Sequence, residues 1–230
     1  MPAHNETEML ESSVREVATG VRSAGRPFEL LVVENGSTDT TLAIARQLAH
    51  ELPEVAVESL PRADYGNALR TGVLVARGTV VVTFDVDYYD LGFLADALAR
   101  VERDTEPADI VVASKRAAGA HDRRPWPRRL VTAAFSGVLR IGFGLRVSDT
   151  HGMKVLSRAA VEPLARRCRF GADLFDTELV LRAERAGLMA VELPVAVEER
   201  RPPRTPIWRR VPRTVVGLVR LRIALWRERQ

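Results

Sequence analysis

Asp85 and Asp87 have the sharpest chemical meaning in this chain, because they follow the β-branched, apolar run TVVVTF at 79–84. Residues two apart on an extended segment point the same way. Two carboxylates on one side of a strand mouth make an oxygen seat for a hard divalent cation, Mg2+ or Mn2+. Without a cation they repel each other. A cation seated there bridges a carboxylate to a diphosphate and neutralises the charge of a leaving nucleotide. The ordinary alternative is a surface turn, where aspartate is common. Two further polar strand ends weigh against it. Glu34-Asn35-Gly36-Ser37-Thr38-Asp39 closes the run FELLVVE, and Ser114-Lys115-Arg116 closes a run from Ile110. In an open parallel sheet such ends gather at one edge, where ligands bind. Ser37 and Thr38 read as helix caps. Glu34 and Asp39 read as acceptors for a ribose or base, and Lys115 and Arg116 as phosphate ligands or plain solvated charges. His4, His50, His121 and His151 show no metal-ligand spacing.

These groups need a scaffold, and the first two thirds of the chain supplies one. Helical stretches at 8–24, 40–52, 65–77 and 91–103 alternate with strand-like runs at 28–34, 55–60, 79–84 and 110–114. That rhythm predicts an α/β fold with a mostly parallel central sheet and helices on both faces. Further on, the spacing predicts a basic loop over 123–129, a helix over 130–141 and an edge strand over 152–156. A helix over 176–186 and a strand over 190–197 follow. EERRPPRTP then ends the core, and a terminal helix covers 211–229. The chain divides into a catalytic domain, 1–205, and a basic apolar C-terminal helix, 206–230.

The 230 residues carry a net charge of +4, with Lys115 and Lys154 the only lysines. Arginine stays ionised and grips phosphate with two donors at once. A phosphorylated ligand or an anionic membrane surface fits that balance. Sparse aromatic interleaving and the lack of an RNA-binding motif speak against nucleic acid. Cys168 is the single cysteine, so no internal disulfide forms and a reducing cytosol is the simpler setting. No apolar run reaches the roughly 18–20 residues that span a bilayer. In the terminal helix Arg213, Arg220 and Arg227 form one stripe, and Leu218, Leu221, Ile223, Leu225 and Trp226 lie on the remaining arc. An interfacial helix on the membrane is the reading favoured over one packed on the domain or on a second subunit.

Taken in order, the motifs resemble family-2 glycosyltransferases of the GT-A fold, in the style of polyprenyl-phosphate (dolichyl-phosphate) hexose synthases. MPAHNE, VVENGSTDTT, DYGNALRTGVLVARG, TFDVD, VVASKR, VSDTHGMKVLSR and FDTELVLRAERAGLMAVELPV are similar to seven family segments in the family's order, over residues 1 to about 200. The resemblance implies that Pro2, Ala3 and Glu6 line the base pocket and that Glu34 meets base or ribose. Asp39 holds that loop, Asp85 contacts ribose or metal, and Asp87 coordinates the metal. Lys115 and Arg116 face phosphate, and Asp149, Lys154, Asp176 and Glu178 surround the acceptor. It further implies an inverting transfer of a hexose from a nucleotide-diphosphate sugar to a polyprenyl phosphate, on the cytosolic face of a membrane. The alternatives are a soluble or saccharide hydroxyl acceptor, which makes Asp176 or Glu178 the base, and a degenerate protein that only binds nucleotide sugar. Departures from the family pattern are Asn35 for an acid, Tyr65 for a basic residue, and Tyr88-Tyr89 after the acid pair. Asp90 is expected to face the metal or to cap the next helix. Met1 falls where the family's first strand finishes, so that strand is expected to be shortened here.

Overall fold

A computed structural model describes residues 1–122, 125–171, 174–197 and 207–228. Strand and helix alternate through the first half: β1 (Pro2–Ala3), α1 (Leu10–Ser23), β2 (Leu30–Asn35), α2 (Thr41–Glu51), β3 (Val55–Leu60), α3 (Tyr65–Val75), β4 (Val80–Thr83), α4 (Leu91–Val101) and β5 (Ile110–Ser114). The second half contains β6 (His121–Asp122), α5 (Trp126–Phe143), β7 (Lys154–Ser157), α6 (Arg158–Arg167), α7 (Phe175–Arg185), β8 (Ala190–Pro194), β9 (Ala196–Val197) and α8 (Ile207–Arg227).

β1, β2 and β3 pair in parallel. A second sheet runs in the order β4-β7-β5-β8, with β7 antiparallel to both neighbours and β8 parallel to β5. β6 and β9 add a short parallel ribbon. This is the mostly parallel α/β architecture that the alternation predicts. β5 is a continuous apolar run covered on both faces, and all five of its residues are buried. One core cluster joins β2 and β5 to α1, α2 and α4, and a second packs α3, α6 and α7 together. A third is built from α5, α7 and α8.

Three sequence expectations need correction, and one helix was not anticipated. The segment expected at the sheet edge is β7, an interior strand between β4 and β5. Lys154 at its start is 1% exposed and paired with Asp176, which lets a charged residue open an interior strand. The basic loop expected over 123–129 becomes helix at Trp126, where Pro125 sets the entry and Pro127 fits the first turn. Residues 123–124, and the Pro/Arg stretch expected to end the core, lie outside the described residues. α6 was not anticipated; Pro163 sits inside it. Finally, Ser37 and Thr38 do not cap α2. Thr40 holds the cap position, and Asp39 Oδ1 accepts from Thr41 N at 3.0 Å. Asp64 and Asp90 cap α3 and α4, accepting from Asn67 N and Phe93 N, so of the two roles expected for Asp90 the capping one is observed.

β1 is two residues long. Its register continues through Met1, whose carbonyl accepts from Val33 N and whose amino group donates to Leu31 O, both at 2.9 Å. Beside it, between β2 and β4, lies a cavity of about 720 Å3 lined by Leu30, Val33, Val73, Val81 and Phe84 among others.

Candidate active site

The carboxyl ends of β1 and β2 build one wall. Asn35 is buried and ties three elements together: its Nδ2 donates to Ala3 O at 2.9 Å and its Oδ1 accepts from Asp64 N at 3.1 Å. An aspartate here would lack the donor for Ala3, so the departure from the family acid has a structural use. Glu34 is 2% exposed and accepts from Ser37 N and Ser59 Oγ. Burial pushes its carboxyl up, but those bonds outweigh it and leave it below the usual range. Burial would also raise Asp39, yet bonds from Thr41 and Thr7 hold it at about 2. Both acids therefore brace the 34–41 loop. Gly36 makes that turn possible. Its φ is +64°, and a Cβ there would meet the backbone of Arg62 and Ala63 at 2.8 Å. Pro2, Ala3 and Glu6 line the same wall, buried, with Glu6 N donating to Thr41 Oγ1.

Beyond β4 the chain turns. Asp85 N donates to Tyr88 O at 3.1 Å, Val86 is buried, and Asp85 and Asp87 are each half-buried on either side of it. Burial raises the Asp85 carboxyl to about 6. The Tyr65 hydroxyl, which donates to Asp85 Oδ1 at 2.8 Å, opposes that shift, while Asp87 and Asp176 add to it. A carboxyl raised in part by a neighbouring acid is a seat for positive charge. Among the described residues no His, Cys or third acid completes a metal-ligand group with them. The pair fits a divalent cation that takes its other ligands from phosphate oxygens and water, the usual arrangement for Mg2+.

Three more of the expected residues, Lys115, Lys154 and Asp176, bear on this turn. Lys115 Nζ stands 5.8 Å from the centre of the Tyr88 ring and close to Gly152. Lys154 Nζ donates to Gly152 O and to Asp176 Oδ1, both at 2.8 Å. Lys154 and Asp176 are 1% and 4% exposed, and the charges of both bear on Asp85. Asp149 is buried in the loop before β7, where its Oδ1 accepts from His151 N. Glu192, missed in the sequence, braces that loop by accepting from Ser148 N and Asp149 N.

Two residues go elsewhere. Arg116 is exposed at the loop after β5. Glu178 is fully buried; it accepts from Arg169 N, Phe170 N and Arg182 Nε. Its bonds run back into the α7–α8 packing and not to the acid turn. Tyr65, which sequence reading noted only as a departure, touches Asp85 directly; a tyrosine opening a helix beside a β-strand end carries no distinguishing pattern.

Similarity to known proteins agrees with this geometry. An uncharacterized glycosyltransferase of Mycobacterium bovis is 35% identical over 198 residues, covering 85% of this chain and 82% of that one. Glycosyltransferase AglD of Haloferax volcanii is 32% identical over 200 residues; these cover 85% of this chain but span only 32% of its length. The dolichyl-phosphate beta-glucosyltransferase of Saccharomyces cerevisiae is 26% identical over 220 residues, 86% of this chain and 66% of that one. Among solved structures, glucosyl-3-phosphoglycerate synthase of Mycobacterium tuberculosis, crystallised with Mn2+, UDP and phosphoglyceric acid, superposes with a TM-score of 0.65. It is 24% identical, covering 88% of this chain and 69% of that one, and so supports the fold. The sequence profile of glycosyl transferase family 2 matches residues 1–164, and with the fold and the acid turn it establishes that the chain belongs to that family of transferases.

Proposed function

We propose that the chain is an inverting hexosyltransferase that moves a sugar from a nucleotide-diphosphate donor to a polyprenyl phosphate at the cytosolic membrane face. The observation that carries the choice of acceptor is the state of the two acids that a hydroxyl acceptor would need as its base. Asp176 is buried against Lys154, and Glu178 is buried against Arg182 and two backbone amides. A hydroxyl must lose a proton to become a nucleophile. A lipid phosphate is already anionic and needs no base. Among the relatives, the yeast protein is named for dolichyl phosphate, in keeping with such an acceptor.

In the proposed reaction a phosphate oxygen of the acceptor forms a bond to the anomeric carbon. The bond from that carbon to the donor's β-phosphate oxygen breaks, and the nucleoside diphosphate departs with the electron pair. Attack opposite the leaving group inverts the anomeric centre. The wall made by Pro2, Ala3, Glu6 and the Glu34–Asp39 loop would hold the nucleoside. Asp85 and Asp87 would hold Mg2+ or Mn2+, which when bound neutralises charge on the leaving diphosphate. Tyr65 holds Asp85 in place, and Lys115, beside Tyr88 and Gly152, would meet phosphate. Alignment and charge stabilisation then supply the rate enhancement.

The test is a turnover screen of nucleotide sugars with Mn2+ or Mg2+, against a short polyprenyl phosphate and, in parallel, against soluble hydroxyl acceptors. The expected result is metal-dependent transfer to the polyprenyl phosphate. Transfer only to hydroxyl acceptors would overturn the reading, and nucleotide-sugar binding without any turnover would identify a non-catalytic binder.

A further inference from the structure

α5 is long, and its outward face is apolar. Trp126, Leu130, Ala134, Val138 and Ile141 recur at spacings of four, four, four and three, and all are exposed. Ile141 is 90% exposed and Trp126 73%. On a helix advancing about 100° per residue they fall within roughly a third of the circumference. The opposite face is anchored by buried Leu139. α8 repeats the arrangement. Val215, Val219, Ile223 and Trp226 form an exposed stripe with Val216 beside it, while Leu218, Leu221 and Leu225 are buried.

The two helices meet on their inner faces. Leu139 of α5 and the three buried leucines of α8 belong to one cluster, together with Val180 and Leu181 of α7. The Arg222 guanidinium lies 5.7 Å from the centre of the Phe143 ring. Apolar surface of this extent on the outside of a soluble domain marks a docking face. Its charges point to one occupant. Exposed Arg129 and Arg140 flank the α5 stripe, and exposed Arg213, Arg220, Arg222 and Arg227 flank that of α8. Neither helix contains an acidic residue. An apolar stripe edged by arginines with a tryptophan near one end suits the headgroup layer of an anionic bilayer. No helix among the described residues is long and apolar enough to cross a membrane, so the geometry is that of a surface contact.

We infer that α5 and α8 together form a two-helix docking face for an anionic bilayer, with α5 as the half nearer the acceptor site. Phe135 of α5 packs edge-on against His151 at 5.3 Å, and Ser136 Oγ donates to Ser148 O at 2.6 Å. The helix that meets the lipid therefore also holds the loop that carries Asp149. This extends the proposed membrane reaction and rests on that reading only for the identity of the lipid acceptor; the docking itself is measured without turnover.

The experiment is vesicle co-sedimentation of the full chain with phosphatidylcholine alone and with about a third phosphatidylglycerol. Wild type should bind the anionic vesicles and lose most binding in neutral ones. Val138→Glu/Ile141→Glu in α5 and Val219→Glu/Ile223→Glu in α8 change exposed positions, so circular-dichroism melts should match wild type. Each pair should weaken binding at least ~10-fold. Wild-type binding by the α5 pair would overturn the inference, because α8 alone would then suffice. So would equal binding to neutral vesicles. A lipid-free dimer that either pair converts to monomer, with vesicle binding unchanged, would assign the face to a second copy of the chain and also overturn it. Turnover of a short, water-soluble polyprenyl phosphate should survive both pairs. Its absence in every variant, wild type included, would count against the proposed acceptor and leave the vesicle result standing.

Discussion

Two acid pairs in this molecule have the same spacing and opposite fates. Asp85 and Asp87 lie in a turn beyond β4, half-buried, and Asp85 accepts from the Tyr65 hydroxyl. Asp176 and Glu178 lie in the first turn of α7, buried, and each has its own cation: Lys154 for one, Arg182 for the other. In a turn with extended entry, residues two apart serve one ligand. On a helix, residues two apart diverge by about 200° and serve different neighbours. A buried carboxylate must then be paired, since an isolated buried charge costs several kcal/mol. The first pair was read from its spacing at a strand end and the second from the family resemblance; what separates them is whether the backbone presents both acids on one side or sends them to different neighbours.

The comparison breaks most sharply at Asp87. Asp87→Ala should lower kcat by on the order of 10^2–10^3, the cost of losing a preorganised charge stabiliser, while stability measured by urea unfolding moves less than ~1 kcal/mol. A loss of stability as large as the loss of activity would place Asp87 with the structural acids. The reverse holds for the other pair. Lys154→Met leaves Asp176 buried and uncompensated, and should destabilise by about 3–5 kcal/mol. Adding Asp176→Leu should restore most of that stability, because a well-packed apolar pair replaces a buried ion pair at little cost. No recovery in the double variant would show that Lys154 does more than neutralise Asp176.

Tyr65 sharpens the contrast at smaller cost. Tyr65→Phe removes the donor to Asp85 and should cost about 1–1.5 kcal/mol in denaturant unfolding. That donor opposes the upward shift of Asp85, so its loss raises the carboxyl above about 6. Half-maximal Mn2+ binding, followed by calorimetry, should then move to higher pH. The smallest effect concerns Cys168, where burial and then Glu178 push the thiol up to about 12. Above pH 9 the unfolded chain releases this proton and the native protein keeps it. Stability should therefore fall as pH rises from about 9 toward 12, with this thiol contributing at most ~1.4 kcal/mol per pH unit. Cys168→Ala should remove that share of the slope.

Much of the scaffold was legible because its strands are short apolar runs closed by polar turns. β2, β4 and β5 could be read directly, and so could the acid turn after β4. Several features that were not legible depend on a distant partner. β7 is an interior strand, and the lysine that opens it is paired with Asp176, 22 residues on. Tyr65 meets Asp85 across 20 residues, and Asn35 meets Asp64 across 29. Asp39 braces its own loop, as the resemblance implies, and Glu34 also bonds to that loop through Ser37 N. The α5 stripe was partly visible as a helix, but its exposure depends on α7 and α8 covering the other side.

The bond between Arg182 and Glu228 changes how the end of the chain can be handled. Arg182, 5% exposed, donates to both oxygens of Glu228, at 2.7 and 3.0 Å, and to Glu178 as well. Clipping away α8 would strip this cation of one partner and bare the leucine layer beneath it in the same stroke. A shortened protein that fails to sediment with lipid would then be reporting injury to α7, whose first turn holds the partner of Lys154, and not the loss of an anchor. The last helix is a keystone, and it has to be altered one outward residue at a time.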